Sequence, residues 1–288
     1  MRKLALLLLG ALAALAAGAQ DRWRGPDGGF LPFATDEEVL AFLRDAEVIE
    51  RRGLAQGINR PLKVRLRLGA VEAHAVYRTV NVRKPREESG GKVYLDFHDS
   101  CLHECAAYEM SRLLGLDHVP PCVVRDVGRL QGTLQLWIED AMTEEKRRRE
   151  GKEAPVPVLW ARQQQTLHLF DALIYNFDRN QGNMLIDPDW KLWFIDHTRA
   201  FHKSAQVERL DRVIWCERDL WRRLRSLDPG EVLRRLDGLL GPDRIAPIMK
   251  RRDLLVRHLE RRIAEAGEGA VLYVAGTPDA GTPDAGLP

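Results

Sequence analysis

Three polar side chains carry the chemistry that this sequence can do. Asp178 directly follows an apolar-striped segment spanning 160–176, with Leu167, Phe170, Leu173 and Ile174 on one face. Asn183 opens a short apolar run at 183–186, and Asp196 closes another at 192–195, with Pro188-Asp189 between them. Two short strands around such a turn make a hairpin, and a hairpin brings its two ends together. Asn183 and Asp196 are therefore expected side by side. An amide oxygen and a carboxylate in one place suit Mg²⁺ or Mn²⁺, which take oxygen ligands and complete their shell with substrate phosphates. Asp178, one loop away, is placed to accept a hydroxyl proton or to orient a nucleophile, with Arg179 beside it. Asp and Asn also fill turns and cap helices everywhere. What points to a site is the three together, each flanked by apolar strand or helix.

Other constellations point elsewhere less well. His98, Cys101, His103 and Cys105 invite a zinc reading. However, His103-Glu104 does not begin an H-E-x-x-H motif, since residue 107 is Ala, and no second pair lies at finger spacing. Buried apolar cysteines are the expectation there. Cys101 and Cys105 are one helical turn apart, with Cβ atoms ~5–6 Å apart, too far for a disulfide. Cys122 and Cys216 could pair with one another or with neither. No G-x-S-x-G elbow and no G-x-x-x-x-G-K loop occurs.

The elements that must position Asp178, Asn183 and Asp196 are legible as patterns. Thr35 to Glu38 is a capping box that starts a short helix. Strands are expected over 47–52, 64–68 and 74–82, the last from its β-branched character. Gly53 and Gly57 lie in the turn-rich loop between the first two. A helix is expected over 101–116, then two strands over 119–127 and 133–138. Residues 144–153 are a charge-rich connector between two halves, read as a solvated helix. Beyond the central helix and hairpin, Leu210, Val213, Ile214, Trp221 and Leu224 predict a helical stripe. Asp228, Pro229 and Glu231 predict the start of another helix, ended by Gly241-Pro242. A last helix carries Ile248, Leu255, Leu259 and Ile263, with Lys250, Arg251, Arg252, Arg257, Arg261 and Arg262 as its wet face. A five-stranded lobe with one helix, followed by a mainly helical lobe with a small hairpin, is an α+β arrangement in the order of a two-lobed protein kinase-like fold.

The two ends are expected to stand apart from that fold. Met1-Arg-Lys3, an apolar run over 4–16 and Ala17-Gly18-Ala19 have the layout of a cleaved signal peptide over 1–19. The apolar run is shorter than the ~20 residues of a spanning helix. An exported protein with no stable membrane span after cleavage is the expectation, periplasmic or extracellular. Gly-Thr-Pro-Asp-Ala occurs twice in tandem within 275–288, which reads as a disordered tail. An N-terminal extension over 20–46, an N-lobe over 47–140 and a C-lobe over 141–274 fill the rest. The 288 residues hold 44 Lys+Arg and 42 Asp+Glu, a net charge of +2. That balance supplies no general field for gripping nucleic acid, and no nucleic-acid partner is expected.

The motifs also carry a family resemblance. D-x-L-I-x-N-x-D-R-N-Q-G-N-x-L over 171–185, followed by I-D-H-T-R-A-F over 195–201, resembles the phosphatidylinositol 3/4-kinase-like and HipA-like branch of the kinase superfamily. It is also similar to the secretory-pathway kinases of the Golgi casein kinase type. The segment E-C-A-A-Y-E-M-S-R-L-L-G-L-D-H-V-P-P from Glu104 matches the αC helix and following strand of the same group. The resemblance implies that Asp178 is the catalytic-loop aspartate and that Asn183 and Asp196 bind the metal, with Asp196-His-Thr in place of Asp-Phe-Gly. It implies that Glu104 is the αC glutamate, and that Trp137, Ile138 and Glu139 line the hinge that receives adenine. Gly53 and Gly57 would cover the phosphates. The strand lysine expected to bridge Glu104 and the phosphates is replaced by Arg78 or shifted to Lys84, and Arg and Lys are not interchangeable in reach or hydration. The implied activity is transfer of phosphate from ATP, with Mg²⁺ or Mn²⁺, to an unidentified hydroxyl acceptor on a protein or small molecule. A catalytically weak or inactive nucleotide- or partner-binding module and transfer of AMP on the same fold are the alternatives.

Overall fold

Thr35 starts the first element. Its side chain accepts from Glu38 N, and the Glu38 carboxylate accepts from Thr35 N, so two helix-end donors are satisfied reciprocally. The computed structural model describes residues 22–54, 61–89, 91–128 and 131–275. The expected leader over 1–19, Gly57 and the tail from 276 onward lie outside them.

The described chain runs α1 (Asp36–Asp45), β1 (Glu47–Gly53), β2 (Leu62–Leu68), β3 (Val71–Arg78), β4 (Asn81–Ser89), β5 (Lys92–Ser100), α2 (Leu102–Leu113), β6 (Cys122–Val124) and β7 (Thr133–Leu136). It continues with β8 (Met142–Thr143), α3 (Glu144–Arg149), α4 (Pro157–Ile174), β9 (Met184–Ile186), β10 (Leu192–Phe194) and β11 (Cys216–Glu217). The last elements are α5 (Arg218–Arg225), α6 (Pro229–Leu236), α7 (Pro242–Ala266), α8 (Glu268–Val271) and β12 (Leu272–Tyr273).

Two compact units divide the chain. Of the described residues, the first comprises those up to Thr79 together with those in Pro120–Asp140; the second comprises those in Val80–Val119 and those from Ala141 on. The first unit is a five-stranded antiparallel sheet in the order β1-β2-β3-β7-β6. Alternation puts Val64 and Leu66 of β2 opposite Ala75 and Ala73 of β3, all four buried. Helix α1 covers β6 and β7 with Val39, Leu40, Phe42 and Leu43.

The second unit is built on α4. Pro157 occupies its first turn, and Tyr175 ends it in the left-handed region at φ 54°. Beside it β10, β9 and β8 make a three-stranded sheet. The β9–β10 turn is held by Asp187, whose Oδ1 accepts from Asp189 N and Lys191 N and whose Oδ2 accepts from Trp193 Nε1. Phe170 of α4 meets Phe194 of β10 at 6.0 Å, and both are fully buried. Each such side chain contributes about 2–3 kcal/mol of burial.

Several expected elements are replaced by others. The strand expected over 74–82 is two strands, because β3 stops at Arg78 and β4 begins at Asn81. The β-branched run crosses the break, so strand propensity alone merges them. The β4–β5 hairpin is not anticipated by pattern: Arg83, Lys84, Arg86 and Glu87 form a charged run, broken only by Pro85, that hides the alternation. The helical stripe from Leu210 to Leu224 is a 3₁₀ turn over Leu210–Arg212, then β11, then α5. Gln165 Oε1 accepts from Ile214 N and Trp215 N, which holds that backbone extended instead of coiled. Helix α6 begins as expected, with Asp228 accepting from Glu231 N, but it ends at Leu236; Gly241-Pro242 opens α7 instead. On α7 Arg251 is fully buried, not wet: it donates to the carbonyls of Leu173, His202 and Ser204. Cys105 and Cys122 are disulfide-bonded, while Cys101 and Cys216 are buried cysteines outside any disulfide. Cys105 is thus not a plain apolar thiol, and Cys122 does not pair with Cys216, because pairing follows Cβ proximity in the fold and not spacing.

Candidate active site

The helix α4 delivers the chain to Asp178, and the β9–β10 hairpin returns it to Asp196. Between them Asn180 caps a 3₁₀ turn over Gln181–Asn183, its side chain accepting from Gly182 N at 2.8 Å. The hairpin does bring its ends together: Ile195 N donates to Asn183 O at 3.3 Å. Asn183 Nδ2 donates to Asp178 O at 3.4 Å, which leaves the amide oxygen with no hydrogen bond among the described residues. Asp196 holds φ 59°, a left-handed backbone that costs some energy for a non-glycine residue. Thr198 Oγ1 donates to its carboxylate at 3.4 Å.

Arg179 is the strut of this arrangement. Its Nε and Nη2 grip both oxygens of Asp171 at 2.9 and 3.0 Å. Its Nη1 donates to Asn183 O at 2.5 Å and Ile195 O at 2.6 Å. Its Nη2 also donates to His197 Nε2 at 3.0 Å. All five N–H groups of a planar guanidinium are thereby used inside the protein. The expectation that Arg179 shares the catalytic role is corrected accordingly: it positions Asn183 and the residue before Asp196, and it has no N–H left for a substrate.

His197 carries the network onward. With Nε2 accepting from Arg179, its proton sits on Nδ1, which faces Glu104 Oε2 at 3.2 Å. His197 N donates to Glu104 Oε1 at 3.1 Å. Both carboxylate oxygens of Glu104 are thus engaged by one residue, and both side chains are fully buried. The chain Asp171–Arg179–His197–Glu104 ties α4, the hairpin and α2 together.

Asp178 itself stands at the edge of this network, with its side chain 35% exposed. Burial pushes its carboxyl above the usual range, Asp196 and Asp99 push it the same way, and Arg199 opposes them. Arg199 Nη1 donates to Asp178 Oδ2 at 3.1 Å, and its Nε donates to Asp99 Oδ2 at 3.0 Å. Behind the loop, Phe177 stacks on Tyr94 at 3.9 Å.

The other expected site residues are placed as follows. Gly53 ends β1 with open space around it, and Gly57 is outside the described residues. Arg78 ends β3 and donates to Gln135 at 3.4 Å. Lys84 lies on β4, where it pairs with Glu87 at 2.7 Å. Trp137 N donates to His74 O and its ring lies 4.2 Å from Lys63 Nζ; Ile138 is buried. Glu139 meets His74 Nδ1 at 2.5 Å and Lys63 Nζ at 3.6 Å. Gly53, Arg78 and residues 137–139 belong to the first unit, while Lys84, Glu104, Asp178, Asn183 and Asp196 belong to the second.

Sequence reasoning assigned no role to Asp171, Arg199 or Asp99, and placed His197 only as the middle residue of the triplet in place of Asp-Phe-Gly. Asp171 had a signal: a charge inside the apolar run Leu169-Phe-Asp-Ala-Leu-Ile needs a buried partner. Asp99 had none, since its strand was not anticipated.

As to metal, among the described residues no cluster of three or more His, Cys, Asp or Glu could hold an ion. What is present is an amide oxygen and carboxylates. That donor set fits Mg²⁺ or Mn²⁺, which complete their shell with water and phosphate oxygens, and not a closed zinc site.

No family model matches the chain. A Mycobacterium tuberculosis protein, Protein Rv2133c, is 27% identical over 212 residues, covering 62% of this chain and 71% of its own length. Among solved structures, that of hydra Fam20 with sugar superposes at a TM-score of 0.63 with 16% identity, covering 84% of this chain and 93% of that one. The Golgi casein kinase with Mn/ADP bound superposes at 0.61 with 15% identity, covering 85% and 80%. The fold is kinase-like. The α+β order read from the sequence, a five-stranded sheet before a mainly helical part, agrees with it.

Proposed function

We propose that this chain is an exported, metal-dependent phosphotransferase that moves phosphate from ATP to a hydroxyl acceptor. The observation that supports the reading is the clamp of Arg179 Nη1 on Asn183 O and Ile195 O, which ties Asn183 to the residue before Asp196. Mg²⁺ or Mn²⁺, when bound with the nucleotide, supplies neutralisation of the charge that develops on the transferred group. Asn183 and Asp196 would hold it. Asp178, half open to solvent, would orient the acceptor hydroxyl and take its proton. Glu104 and His197 keep the Asp196 segment in register with α2. Gly53, Gly57, Arg78, Lys84, Trp137, Ile138 and Glu139 are proposed nucleotide contacts on resemblance alone. Export is supported by the signal-peptide layout of residues 1–19 and by the disulfide-bonded state of Cys105 and Cys122, which suits an oxidising compartment.

Calorimetric titration with ADP in Mn²⁺ or Mg²⁺ tests the reading. Metal-dependent binding that is lost in Asp196→Ala is expected. A folded wild-type protein that binds no nucleotide with either metal refutes it. Incubation with ATP followed by mass spectrometry distinguishes a phosphoryl adduct from an adenylyl one.

A further inference from the structure

The guanidinium of Arg199 joins two carboxylates of very different exposure. Asp99, on β5, has a side chain only 4% exposed; Arg199 is 16% exposed; Asp178 is 35% exposed. The deep end is fixed. Asp99 follows Phe97 and His98 on a paired strand, and Ser100 N donates to Thr198 O, which locks β5 against the residue before Arg199. Phe97 lies under the guanidinium at 5.6 Å. A buried carboxylate and an aromatic face therefore set the direction of Arg199 before it reaches Asp178.

The shallow end is where the chemistry is proposed. Arg199 takes Oδ2 of Asp178, and Oδ1 carries no hydrogen bond among the described residues. Asp178 shares its surroundings with the negative charges of Asp196 and Asp99, and with the Tyr94 hydroxyl. Without a cation the carboxylate has every reason to turn toward solvent. We propose that Arg199, anchored by the buried Asp99, is the positioning residue that holds the Asp178 carboxylate with one oxygen presented to the acceptor hydroxyl.

This inference rests on the phosphotransferase reading and sharpens it. A positioned carboxylate matters to the chemical step and not to nucleotide binding, because misplacement of a reacting group by about 1 Å costs about 10²-fold in rate. A lysine at 199 restores the charge but not the two-armed geometry.

The test measures Mn²⁺-ATP turnover by wild type, Arg199→Gln, Arg199→Lys and Asp99→Asn, together with a double-mutant cycle of Arg199→Gln and Asp178→Asn in urea unfolding. The expected result is a kcat about 10²-fold lower in Arg199→Gln with KM for ATP within about twofold. Arg199→Lys should recover part of the loss. Asp99→Asn should lower kcat without adding to the effect of Arg199→Gln. Unchanged kcat in Arg199→Gln, or a loss confined to KM, overturns the inference. If wild type turns over no ATP, the phosphotransferase reading fails, and the unfolding cycle decides the contact by itself. Non-additive stabilities support the clamp, and additive ones overturn it.

Discussion

Arg179→Lys keeps the charge and removes the geometry. The guanidinium makes five bonds: two to Asp171, two to the carbonyls of Asn183 and Ile195, and one to His197. An ammonium has three donors at one point and cannot span partners on opposite sides of the fork. At least two of the five bonds are lost. Arg179 and Asp171 have side chains only 10% and 11% exposed, so water does not replace them freely. At about 1.5–3 kcal/mol for each bond to a charged group, and with about 3–5 kcal/mol typical of a broken buried pair, the expected loss of stability is about 3–5 kcal/mol. That is a large share of an ordinary protein's 5–15 kcal/mol. Urea unfolding followed by tryptophan fluorescence measures it, with Trp193 in β10 as a reporter beside the hairpin. Amide exchange at Ile195, whose N–H bonds Asn183 O, should accelerate in step. A loss below about 1 kcal/mol, or unchanged exchange at Ile195, would refute the claim that this one side chain sets the ends of the hairpin.

Other consequences are as direct. Arg251→Met removes three bonds to the carbonyls of Leu173, His202 and Ser204 from a fully buried site, and it should cost about 3 kcal/mol or more in urea unfolding. A wet-face arginine would cost almost nothing. Burial, aided by Arg244 and Arg83, holds His98 down at about 4, against about 6.5 in the unfolded chain. The unfolded state then binds the proton more readily, so this group's contribution is present above about pH 6.5 and is lost as pH falls toward 4. His98→Gln should flatten the fall in unfolding free energy across that window, and an unchanged slope contradicts it. Asp228→Ala removes the cap of α6 and should lower stability by about 1 kcal/mol in thermal or urea unfolding.

The sequence was most legible where local geometry decides the outcome. Thr35 and Asp228 cap helices because their oxygens reach a backbone N–H three residues on, a contact that needs no tertiary partner. The β9–β10 hairpin was readable because a short turn fixes which residues meet, and Asn183 lies against Ile195, the residue before Asp196. Sequence also located Asp178 at the end of α4, since an amphipathic stripe shows where a helix stops carrying apolar residues.

What the tertiary structure alone decided is what these residues lean on. Charge read by type made Arg251 a surface group and Arg179 a catalytic one. Burial and five satisfied donors make the first a core tether and the second a strut. Propensity joined β3 to β4, though only the pairing of Asn81–Ser89 with Lys92–Ser100 shows a separate hairpin carrying Asp99. The contact from Asp99 through Arg199 to Asp178 spans about a hundred residues of chain on one side and about twenty on the other. No periodicity encodes such a contact, because it exists only once strands and loops from distant segments are packed and a buried carboxylate must find its cation.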